Sequence, residues 1–358
     1  MVQKELIFDY TIPGLYNAGI RSWSNDLLDA LSSSGLFNIT IVAPYEFDHL
    51  KKYGEIIVIP YYDIKIPLFH RFFYYEFRLS KVLLGFNSKI IFSPYFQLPK
   101  KILKKSTCVI TIHDTLYFDL AHKYKRIDLI LLLKLTNYYH NFNIKHSKHI
   151  VSVSQFTKNR LLNLFDIKIL EVFYNVPKFQ VKSENGKVFF CYFGGWEHRK
   201  RPETAMIIGN MILRRNKNCK FVVSGITFDL IKSYFDPDVL NRIICEDRFS
   251  KSDMYFYLSN SFISLYTSSF EGFGIPLLES QLYGVPVLIG DDLIVTDELP
   301  LEGLITMNLS KLEDEGISVI LNNIDSIDPI IIANNAKDKL SLLIEKNKLF
   351  PKILYDAI

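Results

Sequence analysis

The feature that most limits how this chain can fold is a repeated alternation of short apolar runs with longer amphipathic stretches. Runs rich in β-branched and aromatic residues predict strands, and the stretches between them predict crossover helices. Before position 180 the predicted strands are Glu5–Tyr10, Phe37–Val42, Glu55–Pro60, Lys89–Ser93, Thr107–Ile112, His149–Val153 and Glu171–Phe173. After it they are Val188–Phe193, Lys220–Ser224, Arg242–Cys245, Phe262–Tyr266, Val285–Ile289 and Leu304–Met307. The alternation therefore predicts two α/β domains with parallel sheets.

A polar stretch near the middle of the chain separates the two series of strands. Pro177–Lys187 contains Ser, Asn and Gly but little to bury, which is typical of an interdomain linker. The 358 residues suffice for two domains of ~150 residues each. We expect a doubly wound domain over residues 1–178, a linker over 179–187, a second doubly wound domain over 188–340, and a helical segment over 341–358 that can cross back to the first domain.

Composition excludes several other classes of protein. With 49% hydrophobic and 22% charged residues, the chain is neither disordered nor of low complexity. Its longest aliphatic run, Leu129–Leu133, is far shorter than the ~20 apolar residues of a membrane-spanning helix, and Met1–Pro13 lacks the apolar stretch of a signal peptide. The four cysteines form no CxxC pair, so neither a zinc site nor a disulfide framework is indicated. We therefore expect a cytoplasmic protein.

The charge is distributed unevenly along the chain. Residues 1–180 contain 23 Lys and Arg against 14 Asp and Glu, whereas the remaining residues contain 19 against 24. A basic half rich in Phe and Tyr suits either nucleic acid or an anionic bilayer. Within it, Leu68–Leu84 mixes Arg71, Arg78 and Lys81 with apolar residues at roughly helical spacing, which fits a buried helix or a segment at an anionic membrane surface. We predict peripheral binding to the inner face of a membrane and no nucleic-acid partner.

The strongest local motif is a glycine-containing loop that enters a predicted helix after residue 266. Gly272 and Gly274 allow the backbone to approach a ligand closely, and Pro276 suits the first turn of a helix, where its missing N–H is not needed. Glu271 lies in the loop and Glu279 one turn into the helix, so the two carboxylates address different parts of a bound molecule. In the alternative interpretation Glu279 only complements the helix dipole and the glycines only turn the chain.

The string Ser268–Ser280, followed by Gly284-Val285-Pro286-Val287, resembles the E-x7-E segment of family 4 glycosyltransferases, which are retaining enzymes of the two-Rossmann GT-B architecture. The resemblance implies two Rossmann-like domains that face each other across a cleft. It also implies that Glu279 binds the ribose hydroxyls of a nucleotide sugar. Glu271 and the Gly272–Gly274 amides would contact the transferred sugar, with Phe273 and Ile275 in the same substrate-binding loop and the diphosphate near the helix start.

A second segment agrees with this resemblance. Gly194–Pro202 follows a predicted strand and is similar to the family's strand, loop and Arg-Lys pair, which here are Arg199 and Lys200, with Gly194 on the substrate side. A diphosphate leaving group gains charge as the glycosidic bond breaks, so paired cations stabilise the transition state more than the ground state. The alternative is a solvated basic start of a helix.

The first half contributes weaker matches. Thr111–Asp114 ends a predicted strand and resembles the family's T-x-H-D segment, which implies that His113 lies against the donor sugar and its phosphates. Residues 151–158 and Asn175 also match family positions. The chain departs from the family after the first strand, where a Gly-Gly-x-Gly loop is common and this sequence offers Gly19 in an Ala-Gly-Ile step. This departure weakens the expectation that the backbone at Gly19 closely approaches a phosphate.

The sequence thus predicts a retaining hexosyltransferase, with mannose or glucose as the type of sugar. It would use a nucleoside diphosphate sugar as donor, a glycan or a lipid-linked oligosaccharide as acceptor, and no metal or other cofactor. Asp236-Pro237-Asp238 has the spacing of a metal-binding D-x-D motif, but the proline indicates the start of a helix instead. Two alternatives stay open: a nucleotide-sugar epimerase or hydrolase of the same architecture, and a catalytically silent subunit that binds a partner.

Overall fold

The computed structural model describes residues 2–11, 18–60, 74–86, 90–115, 127–177, 187–293 and 298–358. The chain divides into two compact units, the first comprising Met1–Asn175 with Leu343–Ile358 and the second comprising Val176–Leu342. Each unit contains one parallel sheet, which confirms the predicted fold class of two doubly wound α/β domains. Most of the predicted linker lies outside the described residues.

The first unit contains a seven-stranded parallel sheet in the order β3-β2-β1-β4-β5-β6-β7. The strands are β1 (Lys4–Asp9), β2 (Phe37–Ala43), β3 (Gly54–Val58), β4 (Ile90–Ser93), β5 (Thr107–Ile112), β6 (His149–Ser152) and β7 (Glu171–Val172). The described helices are α1 (Ala18–Ser33), α2 (Ser80–Leu83), α3 (Lys100–Lys105), α4 (Ile127–His146) and α5 (Gln155–Leu164). A π-helical turn over Tyr74–Leu79 leads into α2, so the described part of the predicted helix over residues 68–84 is irregular. The rest of that prediction lies outside the described residues.

The second unit repeats the plan with six strands in the order β10-β9-β8-β11-β12-β13. The strands are β8 (Phe189–Tyr192), β9 (Lys220–Ser224), β10 (Ile243–Glu246), β11 (Ser261–Tyr266), β12 (Val287–Gly290) and β13 (Leu304–Met307). The helices are α6 (Pro202–Arg215), α7 (Phe228–Ile231), α8 (Lys251–Ser259), α9 (Ile275–Leu282), α10 (Asp314–Asn323) and α11 (Pro329–Ala357). The predicted helix after Asp236 is a turn followed by a short 3₁₀ helix, Leu240–Arg242.

Both faces of each sheet are buried, which explains the continuous apolar runs in the sequence. In β1, Leu6 and Phe8 belong to one apolar cluster and Ile7 to another, because successive strand side chains point to opposite faces. In β8, Tyr192 and Cys191 are divided between two clusters in the same way. Helices cover these faces, so the polar groups that can meet a ligand lie in the loops at the ends of the strands.

Helix α11 begins in the second unit and ends in the first. In its last part, Phe350 is fully buried and its ring lies 5.2 Å from that of Phe173. The side-chain amide of Asn347 accepts a hydrogen bond from the Tyr174 N–H at 2.8 Å and donates to the Tyr174 carbonyl at 2.9 Å. These contacts attach the C-terminal end of α11 to Phe173 and Tyr174, which directly follow β7.

Candidate functional site

The candidate site lies at the carboxyl ends of the central strands of the second unit. Strand β8 pairs with β9 on one side and with β11 on the other, so the loops after these strands are neighbours. Gly195 and Gly225 follow β8 and β9 with positive φ angles of 69° and 87°. A Cβ atom on Gly225 would lie 2.8 Å from the Gly195 Cα, so a side chain at residue 225 has no room.

The basic turn after β8 is fastened to the loop after β11 by hydrogen bonds to its backbone. The Ser269 N–H donates to the Arg199 carbonyl at 2.8 Å, and the Ser269 hydroxyl donates to it at 3.0 Å. The Thr267 hydroxyl donates to the Lys200 carbonyl at 2.7 Å. Residues His198–Lys200 form a 3₁₀ helix that ends at Arg201, which adopts the left-handed conformation with φ 47°. These bonds bring together two predicted segments that are about seventy residues apart in sequence.

Arg199 and Glu271 form an ion pair at this junction. Arg199 Nη1 lies 2.6 Å from Glu271 Oε1, and each side chain is only 19% exposed. Arg199 Nη1 also donates to the Phe270 carbonyl at 3.2 Å, and Arg199 Nε lies 3.0 Å from Glu197 Oε2. The Ser268 hydroxyl donates to Glu271 Oε1 at 2.9 Å. Lys200 is 20% exposed, with Nζ 3.7 Å from Glu197 Oε1. The guanidinium therefore lies between two carboxylates.

Glu279 is in a different electrostatic state. It is half-buried on α9, and no hydrogen bond or ion pair is found for it among the described residues. Burial raises its pKa from 4.5 to about 7, and the positive charge of Lys251 opposes that rise only in part. A carboxylate without partners in a site of low polarity favours hydroxyl donors, because their hydrogen bonds stabilise its charged form.

The loop that enters α9 has the geometry that the sequence predicts. Gly274 precedes the helix with φ 93°, a left-handed conformation that favours glycine, and Ile275 starts the helix with Pro276 in its first turn. Phe273 is buried, so only its backbone is available to a ligand. The Leu277 N–H and the Leu278 N–H both donate to the Gly274 carbonyl, at 3.1 Å and 3.2 Å.

Two tyrosines at the strand ends support the site, and sequence reasoning did not single them out. The Tyr192 hydroxyl donates to the Gly195 carbonyl at 3.1 Å, and a Cβ atom on Gly194 would lie 2.3 Å from the Tyr192 ring. Gly194 is therefore required by packing. The Tyr266 hydroxyl is buried without a hydrogen bond of normal geometry among the described residues, and burial beside the Glu271 charge raises the pKa of Tyr266 well above 10. Each is the last residue of its strand, Tyr192 in β8 and Tyr266 in β11, and this position at a strand end is the feature that could have identified them.

His113 and Gly19 belong to the first unit. The His113 Nε2–H donates to the Pro94 carbonyl at 2.8 Å, and the ring packs edge-on against Trp23 at 5.1 Å between centroids. Burial lowers the pKa of His113 to about 4, despite the opposing effect of the bond to Pro94. The imidazole is thus neutral at physiological pH and brings no positive charge to a phosphate. Gly19 lies inside α1, where it is exposed, and residues 12–17 before that helix are outside the described part.

The described residues contain neither a cluster of metal-binding side chains nor a single helix that could span a membrane. No three side chains of His, Cys, Asp or Glu come together there as metal ligands. In the same residues no single helix is both long and apolar enough to cross a bilayer. One pair of helices, Glu315–Ser326 and Pro329–Ala357, reaches the required length and apolar composition only when the two are counted together, and they are bent by 82° relative to each other.

The part of the chain that contains this site is similar to a known family of domains. Residues 176–299, which include the whole site in the second unit, match the family model described as Glycosyl transferases group 1. The O-antigen chain mannosyltransferase RfbU of Salmonella typhimurium is 23% identical over 295 residues, covering 78% of this chain and 80% of that protein. Sucrose-phosphate synthase of Thermosynechococcus elongatus has a TM-score of 0.74 at 13% identity, over 99% of this chain and 98% of that chain. WaaG, a glycosyltransferase involved in lipopolysaccharide biosynthesis, has a TM-score of 0.68 at 12% identity, over 99% of each chain.

The fold and the matched domain define the class of protein. The chain is a glycosyltransferase of the GT-B fold, which confirms the enzyme class that the sequence predicted. The match to the group 1 glycosyl transferase model falls in the second unit, and Arg199, Lys200, Glu271 and Glu279 all lie within it.

Proposed function

We propose that this glycosyltransferase is a retaining enzyme that transfers a hexose, of the mannose or glucose type, from a nucleoside diphosphate sugar to a glycan or lipid-linked oligosaccharide in polysaccharide biosynthesis. The observation that carries the proposal is the meeting of Arg199, Lys200 and Glu271 at one junction. Glu279, on the helix that follows, has no hydrogen bond or ion pair among the described residues. The similarity to the mannosyltransferase RfbU supports a mannose-type sugar and a polymeric product.

Glu279 is proposed to bind the ribose of the donor. An ionised carboxylate accepts hydrogen bonds from two neighbouring hydroxyls, and Glu279 has no competing partner among the described residues. Burial raises the pKa of Glu279 because it destabilises the ionised carboxylate, and hydrogen bonds from the ribose hydroxyls would stabilise that ionised form.

Arg199 and Lys200 are proposed to bind the diphosphate. Their side chains are largely buried, at 19% and 20% exposed, so their interaction with a phosphate is screened less by water than that of a surface cation. The Gly272–Gly274 backbone and the start of α9 at Ile275 would add amide donors close to the transferred sugar.

Glu271 is proposed to contact the transferred sugar, and His113 to meet the same sugar as a neutral hydrogen-bonding group. In the retaining step the acceptor hydroxyl attacks the anomeric carbon on the face that the diphosphate leaves. The bond from carbon to the diphosphate oxygen breaks, the acceptor proton passes to the diphosphate, and Arg199 and Lys200 stabilise the charge that the leaving group gains. No metal is required for this step.

The first unit is proposed to associate with an anionic membrane surface. Helix α3 has four lysines in six residues and no acid, and it packs against α2 and α4. Phe77 is 63% exposed beside α2, and Tyr138, 53% exposed on α4, lies under Lys100 with 4.9 Å from Nζ to the ring centroid. Cations beside exposed aromatic rings suit the boundary of an anionic bilayer, where a lipid-linked acceptor would be found.

A nucleotide-sugar screen followed by product analysis tests this function. Thermal shift with UDP-glucose, UDP-galactose, UDP-N-acetylglucosamine and GDP-mannose should identify one stabilising donor, since a ligand that binds only the folded state raises Tm. With that donor and a lipid-linked oligosaccharide, the labelled sugar should appear in the acceptor with its anomeric configuration retained. Free or epimerised sugar in place of glycan would favour the hydrolase or epimerase alternative, and no binding of any donor would favour a catalytically silent subunit.

A further inference from the structure

The Arg199–Glu271 pair joins two residues that are proposed to bind different parts of the donor. Arg199 would bind the diphosphate and Glu271 the sugar, and in the structure the two side chains bind one another at 2.6 Å. Glu271 Oε1, the oxygen in that pair, also accepts from the Ser268 hydroxyl at 2.9 Å. One carboxylate oxygen is thus engaged by two donors, and a sugar hydroxyl that reaches Glu271 has to compete with the guanidinium.

The pair is built into the fold and is not a chance contact of two flexible side chains. The Arg199 carbonyl accepts from both the N–H and the hydroxyl of Ser269, two residues before Glu271. The Arg199 guanidinium also donates to the carbonyl of Phe270 at 3.2 Å. Because the Phe270 carbonyl and Glu197 also hold the guanidinium, the pair with Glu271 orders little more of the Arg199 side chain.

The pair also cancels the charge that a phosphate would otherwise meet. The turn carries Arg199 and Lys200, and these cations face the carboxylates of Glu197 and Glu271. The formal charge of these four side chains sums to zero. A bare nucleoside diphosphate therefore meets no net attraction from them unless Glu271 turns away from Arg199.

We propose that Glu271 makes the site select an intact nucleotide sugar over the spent nucleoside diphosphate. This inference rests on the proposed roles of Glu271 and Arg199 in donor binding. Hydroxyls of the intact sugar donate to Glu271 in place of Arg199, and the freed guanidinium turns to the diphosphate. After transfer no sugar remains to occupy Glu271, so the carboxylate pairs with Arg199 again and weakens the hold on the product.

Glu271→Gln and Glu197→Gln form a matched pair of variants for testing this selection. Each removes one negative charge from the same guanidinium and keeps the shape of the side chain, but only Glu271 is proposed to meet the sugar. Calorimetry on the full chain measures Kd for GDP and GDP-mannose, or for UDP and the UDP-sugar that the donor screen identifies. Circular dichroism confirms that each variant is folded.

For Glu271→Gln we expect nucleoside diphosphate to bind about tenfold more tightly and the nucleotide sugar to bind no better, so the preference for the sugar form collapses. For Glu197→Gln, whose carboxylate is 57% exposed, both ligands should gain equally and by at most about threefold. In an Arg199→Gln background, Glu271→Gln should raise the affinity for the diphosphate by no more than about threefold, the gain expected from loss of the charge alone.

The inference is overturned if Glu271→Gln leaves the ratio of the two affinities unchanged, or if it weakens diphosphate binding as much as nucleotide-sugar binding. Either result would leave the glycosyltransferase function intact. Failure of the wild-type chain to bind any diphosphate or nucleotide sugar would instead count against the proposed donor site itself. Should Glu271→Gln not fold, the Arg199→Gln single variant still decides the matter. Because Arg199 is proposed to turn to the diphosphate only when a sugar occupies Glu271, this variant should lose more affinity for the nucleotide sugar than for the nucleoside diphosphate, and an equal loss for both overturns the inference.

Discussion

The two units share one architecture but place different chemistry at the carboxyl ends of their strands. The first unit contains 25 Lys and Arg against 16 Asp and Glu, and the second contains 17 against 22. After β1 the Asp9 carboxylate accepts from the Thr11 N–H at 3.0 Å, and after β5 the neutral His113 is bonded to Pro94. In the second unit the loops after β8 and β11 hold the Arg199–Glu271 pair, and the half-buried Glu279 lies on α9.

From this difference we propose that the acidic second unit, and not the basic first unit, binds the anionic donor. In the first unit three of the four cations of α3, Lys101, Lys104 and Lys105, are exposed to solvent. In the second unit, which is acidic overall, Arg199 and Lys200 are largely buried among carboxylates, and Arg199 would interact with a phosphate once Glu271 releases it. The parallel fold supplies the position of the loops, and the side chains in those loops supply the function.

The largest effect should come from removing both cations of the second unit. We expect Arg199→Ala with Lys200→Ala to lower kcat by ~10² or more, because the leaving diphosphate loses its charge stabilisation. Steady-state kinetics with the identified donor measures this. Lys217→Ala with Lys220→Ala, which removes two exposed cations of the same unit, is the matched control and should leave kcat nearly unchanged. A folded Arg199/Lys200 variant with normal turnover would place the phosphate site elsewhere.

The next effect concerns the surface of the first unit. Lys101→Gln with Lys104→Gln should weaken binding to vesicles of phosphatidylcholine with phosphatidylglycerol by about 30-fold, at about 1 kcal/mol for each cation. Cosedimentation at low salt measures the change, and Lys217→Gln with Lys220→Gln in the second unit should have little effect. If the wild-type chain binds neutral and anionic vesicles equally, the membrane proposal is wrong and a soluble glycan acceptor is favoured.

A smaller effect is expected from pH, through Glu279. The burial that raises the pKa of Glu279 to about 7 keeps part of the carboxyl protonated near neutrality, and only the ionised form accepts both ribose hydroxyls. Affinity for a nucleotide sugar should therefore fall about tenfold from about pH 8 to about pH 6. A nucleotide sugar is the right probe because its diphosphate does not titrate in that range.

Glu279→Gln supplies the control for that pH dependence. It should bind nucleotide sugar more weakly than the wild type at the higher pH, with little change between the two pH values. Calorimetry at both pH values measures this affinity. If the variant loses as much affinity between the two pH values as the wild type does, a group other than Glu279 titrates.

Much of this fold was predictable from the sequence because buried parallel strands are marked by apolar runs. Every predicted strand is present, including short ones such as β7 and β10, with ends that differ by at most a few residues. The loop before α9 was also predictable, since Gly274 and Pro276 are residues that a helix start of this geometry requires. These features are local, and local features are what a sequence pattern reports.

The features that escaped the sequence depend on contacts between distant segments. The pairing of Arg199 with Glu271 joins two loops on neighbouring strands, and no pattern within either loop indicates it. The low pKa of His113 arises from its burial next to Trp23 and Pro94, and sequence reasoning had placed a histidine there against phosphates. Gly19, which was expected in a phosphate-binding loop, is the second residue of α1 as described, and the residues before that helix lie outside the described part.

The most direct test of the account is to map where the donor binds by hydrogen exchange of the full chain. The identified nucleotide sugar should slow exchange in peptides that cover residues 194–201 and 267–279, because a bound ligand stabilises the loops that contact it. Peptides from α3 in the first unit should be unaffected. Protection confined to the first unit, with the 194–201 and 267–279 loops unchanged, would contradict the claim that the second unit holds the donor.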